Sequence, residues 1–184
     1  MMRVLFCKTL LLAALVAAPA LAQSNPPQAQ PNPPPTPAKL SDQDQSFLKT
    51  AAETAVSEAK LGQLAVDKAS SPDVKQFGQQ AVDEFGKAQQ DLSKIAGALK
   101  WIAPEHMSQD AASQYDDLWE RQGKDFDSRY IADEISNYQH YVPLYEKEAD
   151  NGSDDQLTMY AQSLLPTLRA RLRAAKQISQ KAGS

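Results

Sequence analysis

The side chains best suited to chemistry in this chain are Glu58, Glu134, Tyr138 and Arg171, each near the middle of a stretch with helical periodicity. Two carboxylates with a phenol oxygen form a hard donor set of the kind that holds a metal between facing helices. Beside an arginine, the same carboxylates are the ingredients of a buried ion pair, because a charge on an apolar face must be paired or neutralised. Glu58 and Arg171 sit at similar depth on the first and last long helices. The expected arrangement is a buried Glu58–Arg171 salt bridge, with Glu134 or the Tyr138 hydroxyl sharing the guanidinium. A metal site at Glu58 and Glu134 is the alternative, and the arginine disfavours it by repelling a cation.

The two histidines add nothing to this set. His106 lies in a connection, and His140 falls about 200° from Tyr138 at ~100° per residue. No Glu-x-x-His pair exists, no Gly-rich phosphate loop is present, and no Ser/His/Asp arrangement can be built from local spacing. The expectation is a non-catalytic protein without a cofactor. Tyr138, Tyr141 and Tyr145, preceded by Tyr130, recur at helical spacing beside Pro143. They read as core or, alternatively, as a partly open groove for a small hydrophobic ligand.

Five helices are needed to position these residues. The first runs from Ser41, a suitable N-cap, to Ala69, with Phe47, Ala51, Gly62, Ala65 and Ala69 on the face of Glu58. Ser71 and Pro72 start the second, which reaches Leu99 on a stripe of Val74, Gly78, Ala81, Phe85 and Leu92. Ser108 caps a short helix, Gln109 to Gln122, that Gly123 closes. A long helix from Lys124 to Ala149 carries Glu134 and Tyr138, with a kink expected at Pro143. Ser153 caps the last, Asp154 to Gln180, whose stripe of Leu157, Tyr160, Leu164, Leu168 and Ala175 includes Arg171, with Pro166 bending it. The class is all-α, an antiparallel four-helix bundle with one short extra helix between the second and third long ones. That connection serves either as a ferritin-like crossover or as the cap of an up-and-down bundle.

The N-terminal segment reads as an address. Arg3 and Lys8, the apolar run Thr9 to Ala18, and Ala20-Leu21-Ala22 form a secretory leader cleaved after Ala22. The run is about ten residues against the roughly 20 of a spanning helix, so no stable membrane insertion is expected after cleavage. The single cysteine, Cys7, precedes the apolar run and leaves with the leader, so the exported chain has neither disulfide nor thiolate. Residues 23–39 hold seven of the twelve prolines and read as a disordered, polyproline-like linker. The bundle domain then spans 40–184. Losing residues 1–22 moves the formal charge from −4 to −6. With no basic block, nucleic acid is excluded as a partner, and an unidentified protein or small molecule is left. The destination is the periplasm or the medium.

EAKLGQLA (Glu58 to Ala65), SSPDVKQFGQQAVDEFGKA (Ser70 to Ala88), FDSRY (Phe126 to Tyr130) and AQSLLPTLRARL (Ala161 to Leu172) together resemble the bacterial exported domain-of-unknown-function family 4142. The resemblance spans about Leu40 to Gln177 and implies a ferritin-like bundle in the periplasm or envelope. It implies a glutamate at Glu58 and histidines at the positions that are here Phe85, Tyr138 and Arg171. None of the three is a histidine, so any metal chemistry those histidines support in relatives lacks its ligands in this chain.

Overall fold

The computed structural model describes residues 40–182. The leader expected over 1–22 and the proline-rich stretch expected over 23–39 lie outside the described residues, as do the last two residues of the chain. Five α-helices are present: α1 (Asp42–Lys68), α2 (Pro72–Ala98), α3 (Gln109–Trp119), α4 (Gly123–Asn151) and α5 (Asp155–Ala182). Among the described residues there is no strand. No helix among them is long and apolar enough to cross a membrane.

Local chemistry sets most of the helix starts. Ser41 and Asp44 form a reciprocal capping box at α1, and the Ser108 hydroxyl accepts from the Ala111 N–H at α3. Two expected caps are made by other residues. The Ser71 hydroxyl makes no capping bond at α2. Instead Asp127, one turn into α4, accepts the Ser70 and Ser71 N–H groups at 2.9 and 2.8 Å. Its carboxylate offers two oxygens to two adjacent donors, where a serine hydroxyl offers one. At α5 the carboxylate of Asp154 accepts from Gln156 and Leu157, and the Ser153 N–H is committed to Asp44. Gly123 opens α4 rather than closing α3, which ends at Trp119; its φ of 58° suits a glycine. Both α4 and α5 run on through their prolines, Pro143 and Pro166.

The four long helices pair as α1 with α2, α4 with α5, α1 with α4, and α2 with α5. Side chains fix their directions. Gln43 and Asp44 at the start of α1 bond to Glu148 and Ser153 at the end of α4. At the other end, Lys68 donates to the Trp119 carbonyl, and Ser70 and Ser71 donate to Asp127. Helices α1 and α4 are therefore antiparallel. Lys181 near the end of α5 meets Asp73 at the start of α2 at 3.1 Å, so that pair is antiparallel as well. The connection 99–122 must then travel the length of the helices, which settles the choice left open above in favour of the crossover. Along the way Ser108 donates its N–H to the Ser57 hydroxyl of α1 at 3.3 Å.

Where α1 crosses α2, the backbones touch. A Cβ built on Gly62 would lie 2.7 Å from the Gly78 carbonyl oxygen and 2.8 Å from the Ala81 Cβ. One built on Gly78 meets Gly62 and Ala65 at the same two distances. On the α4 side large rings fill the space instead: Tyr130, Tyr138 and Tyr145 are fully buried, with Phe77, Phe85 and Phe126 against them.

Candidate functional site: a buried polar centre

Glu58 projects from the small-residue face of α1, among side chains too short to screen it. Tyr138 comes from α4, Arg171 from α5, and Phe77 and Phe85 from the stripe of α2. Glu58 and Tyr138 have no exposed surface, Glu134 keeps 1% and Arg171 3%. Tyr138 is the hub. Its hydroxyl donates to Glu58 Oε2 at 2.6 Å and accepts from Arg171 Nε at 2.7 Å. Phe85 stacks on its ring at 6.3 Å, with 18° between the planes. Phe85 and Arg171 thus both contact Tyr138, which in turn bonds to Glu58.

The direct Glu58–Arg171 salt bridge does not form. The Tyr138 hydroxyl stands between the two charges, and the other guanidinium nitrogens turn to α2. NH2 donates to the Phe77 carbonyl at 2.9 Å, and NH1 meets Glu84 at 3.3 Å. The guanidinium carbon lies 3.8 Å from the Phe77 ring centroid, a cation–π contact. Glu84, whose side chain is 40% exposed, is therefore the ion-pair partner. The Glu84 and Phe77 roles are not visible in a helical wheel of α2 alone. The one signal is that Phe77 and Phe85, eight residues apart, share a stripe.

Glu134 precedes Tyr138 by one helical turn, so its buried carboxyl shares the face of α4 that Tyr138 turns toward Glu58. Burial, and then the neighbouring Glu58 charge, push its carboxyl well above the usual glutamate range. Burial first, and then the Glu134 charge, raise the Tyr138 phenol as well. Burial works against the Arg171 charge, but Tyr138 and Glu134 more than offset it and hold the guanidinium protonated. Glu58 Oε1, Glu134 Oε2 and the Tyr130 hydroxyl have no hydrogen-bond partner.

This arrangement does not fit a metal at Glu58 and Glu134. The phenol is a protonated donor toward Glu58, so it is not free to act as an oxygen ligand, and a cation there would face the guanidinium. Among the described residues no three His, Cys, Asp or Glu side chains are grouped as metal ligands. His106 and His140 are both exposed.

The tyrosine groove is also corrected. Tyr138 and Tyr145 have no exposed surface, and only Tyr141 is part-buried. Tyr145 packs edge-on against Phe47 at 5.0 Å, and Tyr141 edge-on against Tyr138 at 6.1 Å. The faces that would line a groove are spent on ring-to-ring packing inside the core.

A second carboxyl pair, unseen in the sequence reading, closes the end where α1 begins and α4 stops. Asp44 and Glu148 are each 1% exposed. Asp44 accepts from the Ser41 N–H at 3.2 Å and the Ser153 N–H at 2.9 Å. Burial alone would raise its pKa, but the bonds from Ser153 and Ser41 prevail and hold it below the usual carboxylate range. Glu148 accepts from Gln43 at 3.0 Å, and its other oxygen has no partner. Burial raises its carboxyl, against the pull of Gln43. The capping-box spacing Ser41-x-x-Asp44 is a legible signal for Asp44. Nothing in the charged run at the end of α4 marks Glu148 as buried.

Against known proteins, the sequence model of the domain of unknown function DUF4142 matches residues 29–178. The fold is similar to the crystal structure of a DUF305 fragment from Deinococcus radiodurans, at 11% sequence identity and a TM-score of 0.68. That match covers 77% of this chain and 98% of the other, and at such identity the likeness is one of fold. No curated protein matches the chain.

Proposed function

The chain belongs to the DUF4142 family, and from that premise we propose an exported helical protein with a binding or structural role in the periplasm or cell envelope and no catalytic activity of its own. The domain proper is an antiparallel, ferritin-like four-helix bundle over 40–184, carried on a linker (23–39) behind a leader removed after Ala22. The four pairwise contacts and the lengthwise crossover support the bundle. The three-part leader sequence supports export.

One observation carries the non-catalytic reading. The middle of the helices, where a bundle enzyme keeps its metal or substrate, is filled by this chain's own side chains. Tyr138 is bonded on both sides, Phe85 covers its ring and Arg171 covers Phe77. The test is elemental analysis of residues 23–184 purified from the periplasm without chelator or tag, followed by titration with iron, manganese and zinc. Metal-free protein that takes up none is the expected result. Near-stoichiometric metal, lost in Glu58→Ala, would overturn the reading in favour of a carboxylate metal site.

A further inference from the structure

The long helices form two hairpins, α1 with α2 and α4 with α5. At mid-length each seam between them is joined by few polar links. The α2/α5 seam has Arg171, bonded to the Phe77 carbonyl and Glu84. The α1/α4 seam has the Tyr138 hydroxyl on Glu58 Oε2. Beside it, Glu58 Oε1 and Glu134 Oε2 are buried without any donor. The backbone has no spare N–H for them, because mid-helix amides are consumed by the helix itself. Two bare carboxylates, desolvated on either side of the same seam beside Tyr138, are not a stable arrangement.

We infer that Glu58 and Glu134 share one proton, and that this proton is a second polar link across the α1/α4 seam at mid-length, beside the Tyr138 hydroxyl. Protonating one carboxyl turns an acceptor into an O–H donor, so a single proton satisfies an oxygen on each side. It also leaves one negative charge opposite the one buried guanidinium. Releasing the proton to solvent leaves two carboxylates against one arginine and removes the bond across the seam. The charged and titratable groups facing the pair are Tyr130, Tyr138 and Tyr141 of α4, Arg171 of α5 and, through Arg171, Glu84 of α2. This inference stands apart from export and from any partner.

The raised pKa of Glu134 fixes the sign of the pH effect. A carboxyl with a raised folded-state pKa contributes its full stability below the ordinary glutamate value of about 4.3, and that contribution is lost as pH rises through the folded value.

The experiment is infrared and NMR observation of carboxyl-labelled glutamate in the intact chain at neutral pH, repeated in Glu58→Gln, Glu134→Gln and Glu148→Gln. We expect a protonated-glutamate signal in the wild type that Glu148→Gln retains. Either of the other substitutions should abolish it, because a glutamine amide donates in place of the shared proton. Wild-type resistance to urea should fall with rising pH below the tyrosine range, with the slope flattened in Glu134→Gln. Absence of the signal from the wild type overturns the inference without recourse to any variant. So does a signal that survives Glu58→Gln, which would mean that Glu134 is protonated by burial alone, or one that disappears in Glu148→Gln.

Discussion

The two buried carboxyl pairs, Glu58–Glu134 at mid-length and Asp44–Glu148 at one end, have the same chemistry in opposite surroundings. Both join α1 to α4, and both are nearly inaccessible to water. At the end, the first turn of α1 and the turn after α4 present free backbone N–H groups, so Asp44 takes two of them and stays ionised. At mid-length every amide is already used, so a carboxyl there finds donors only on side chains, namely Tyr138 and a proton. What decides the charge of a buried acid in these helices is its access to unused backbone N–H groups, which Asp44 has and Glu134 and Glu148 lack, more than its depth.

Four substitutions probe that contrast. Arg171→Ala takes away the only cation of the centre and should cost about 3–5 kcal/mol in urea melts. A wild-type melt for this variant would mean that the centre needs no positive charge. Tyr138→Phe keeps the ring packing but strips a donor from Glu58, and about 1–3 kcal/mol should be lost. Asp44→Ala, at the donor-rich end, should cost about 1–2 kcal/mol at neutral pH. It should also blunt acid unfolding, because a depressed pKa gives stability that is present above the ordinary carboxylate value and lost as pH falls through the folded value. Glu134 and Asp44 therefore drive opposite limbs of the stability–pH curve, and a shared direction would collapse the distinction. Glu148→Gln should change stability by less than about 1 kcal/mol, since an amide replaces a carboxyl already pushed toward neutrality.

The helices were legible because their stripes and stops are local. The face of Glu58 is spelled out by Ala51, Gly62 and Ala65, all buried. The lengthwise crossover was not legible. A connection of that length serves either topology, and the choice rests on contacts such as Gln43 with Glu148 that are distant in sequence. The same limit hid the real partner of Arg171. Glu84 lies at the edge of the α2 stripe, where periodicity assigns it to solvent, and it takes up the pairing role because Tyr138 blocks the way to Glu58. Asp127 capping α2 from another helix is a third such case.

The reciprocal glycine contact acts as a local two-fold pivot. Gly62 meets Gly78 and Ala81 as Gly78 meets Gly62 and Ala65, with matching distances, so the crossing looks the same from either helix. A Cβ at either glycine would meet the carbonyl of the other, so the close crossing holds only while these two residues face each other. Residues added to or removed from the turn at 69–71 must therefore be absorbed by the turn itself. Such a change would reach Asp127 and the start of α2 before it reached Glu58, leaving the register of the centre set by two residues that carry no side chain.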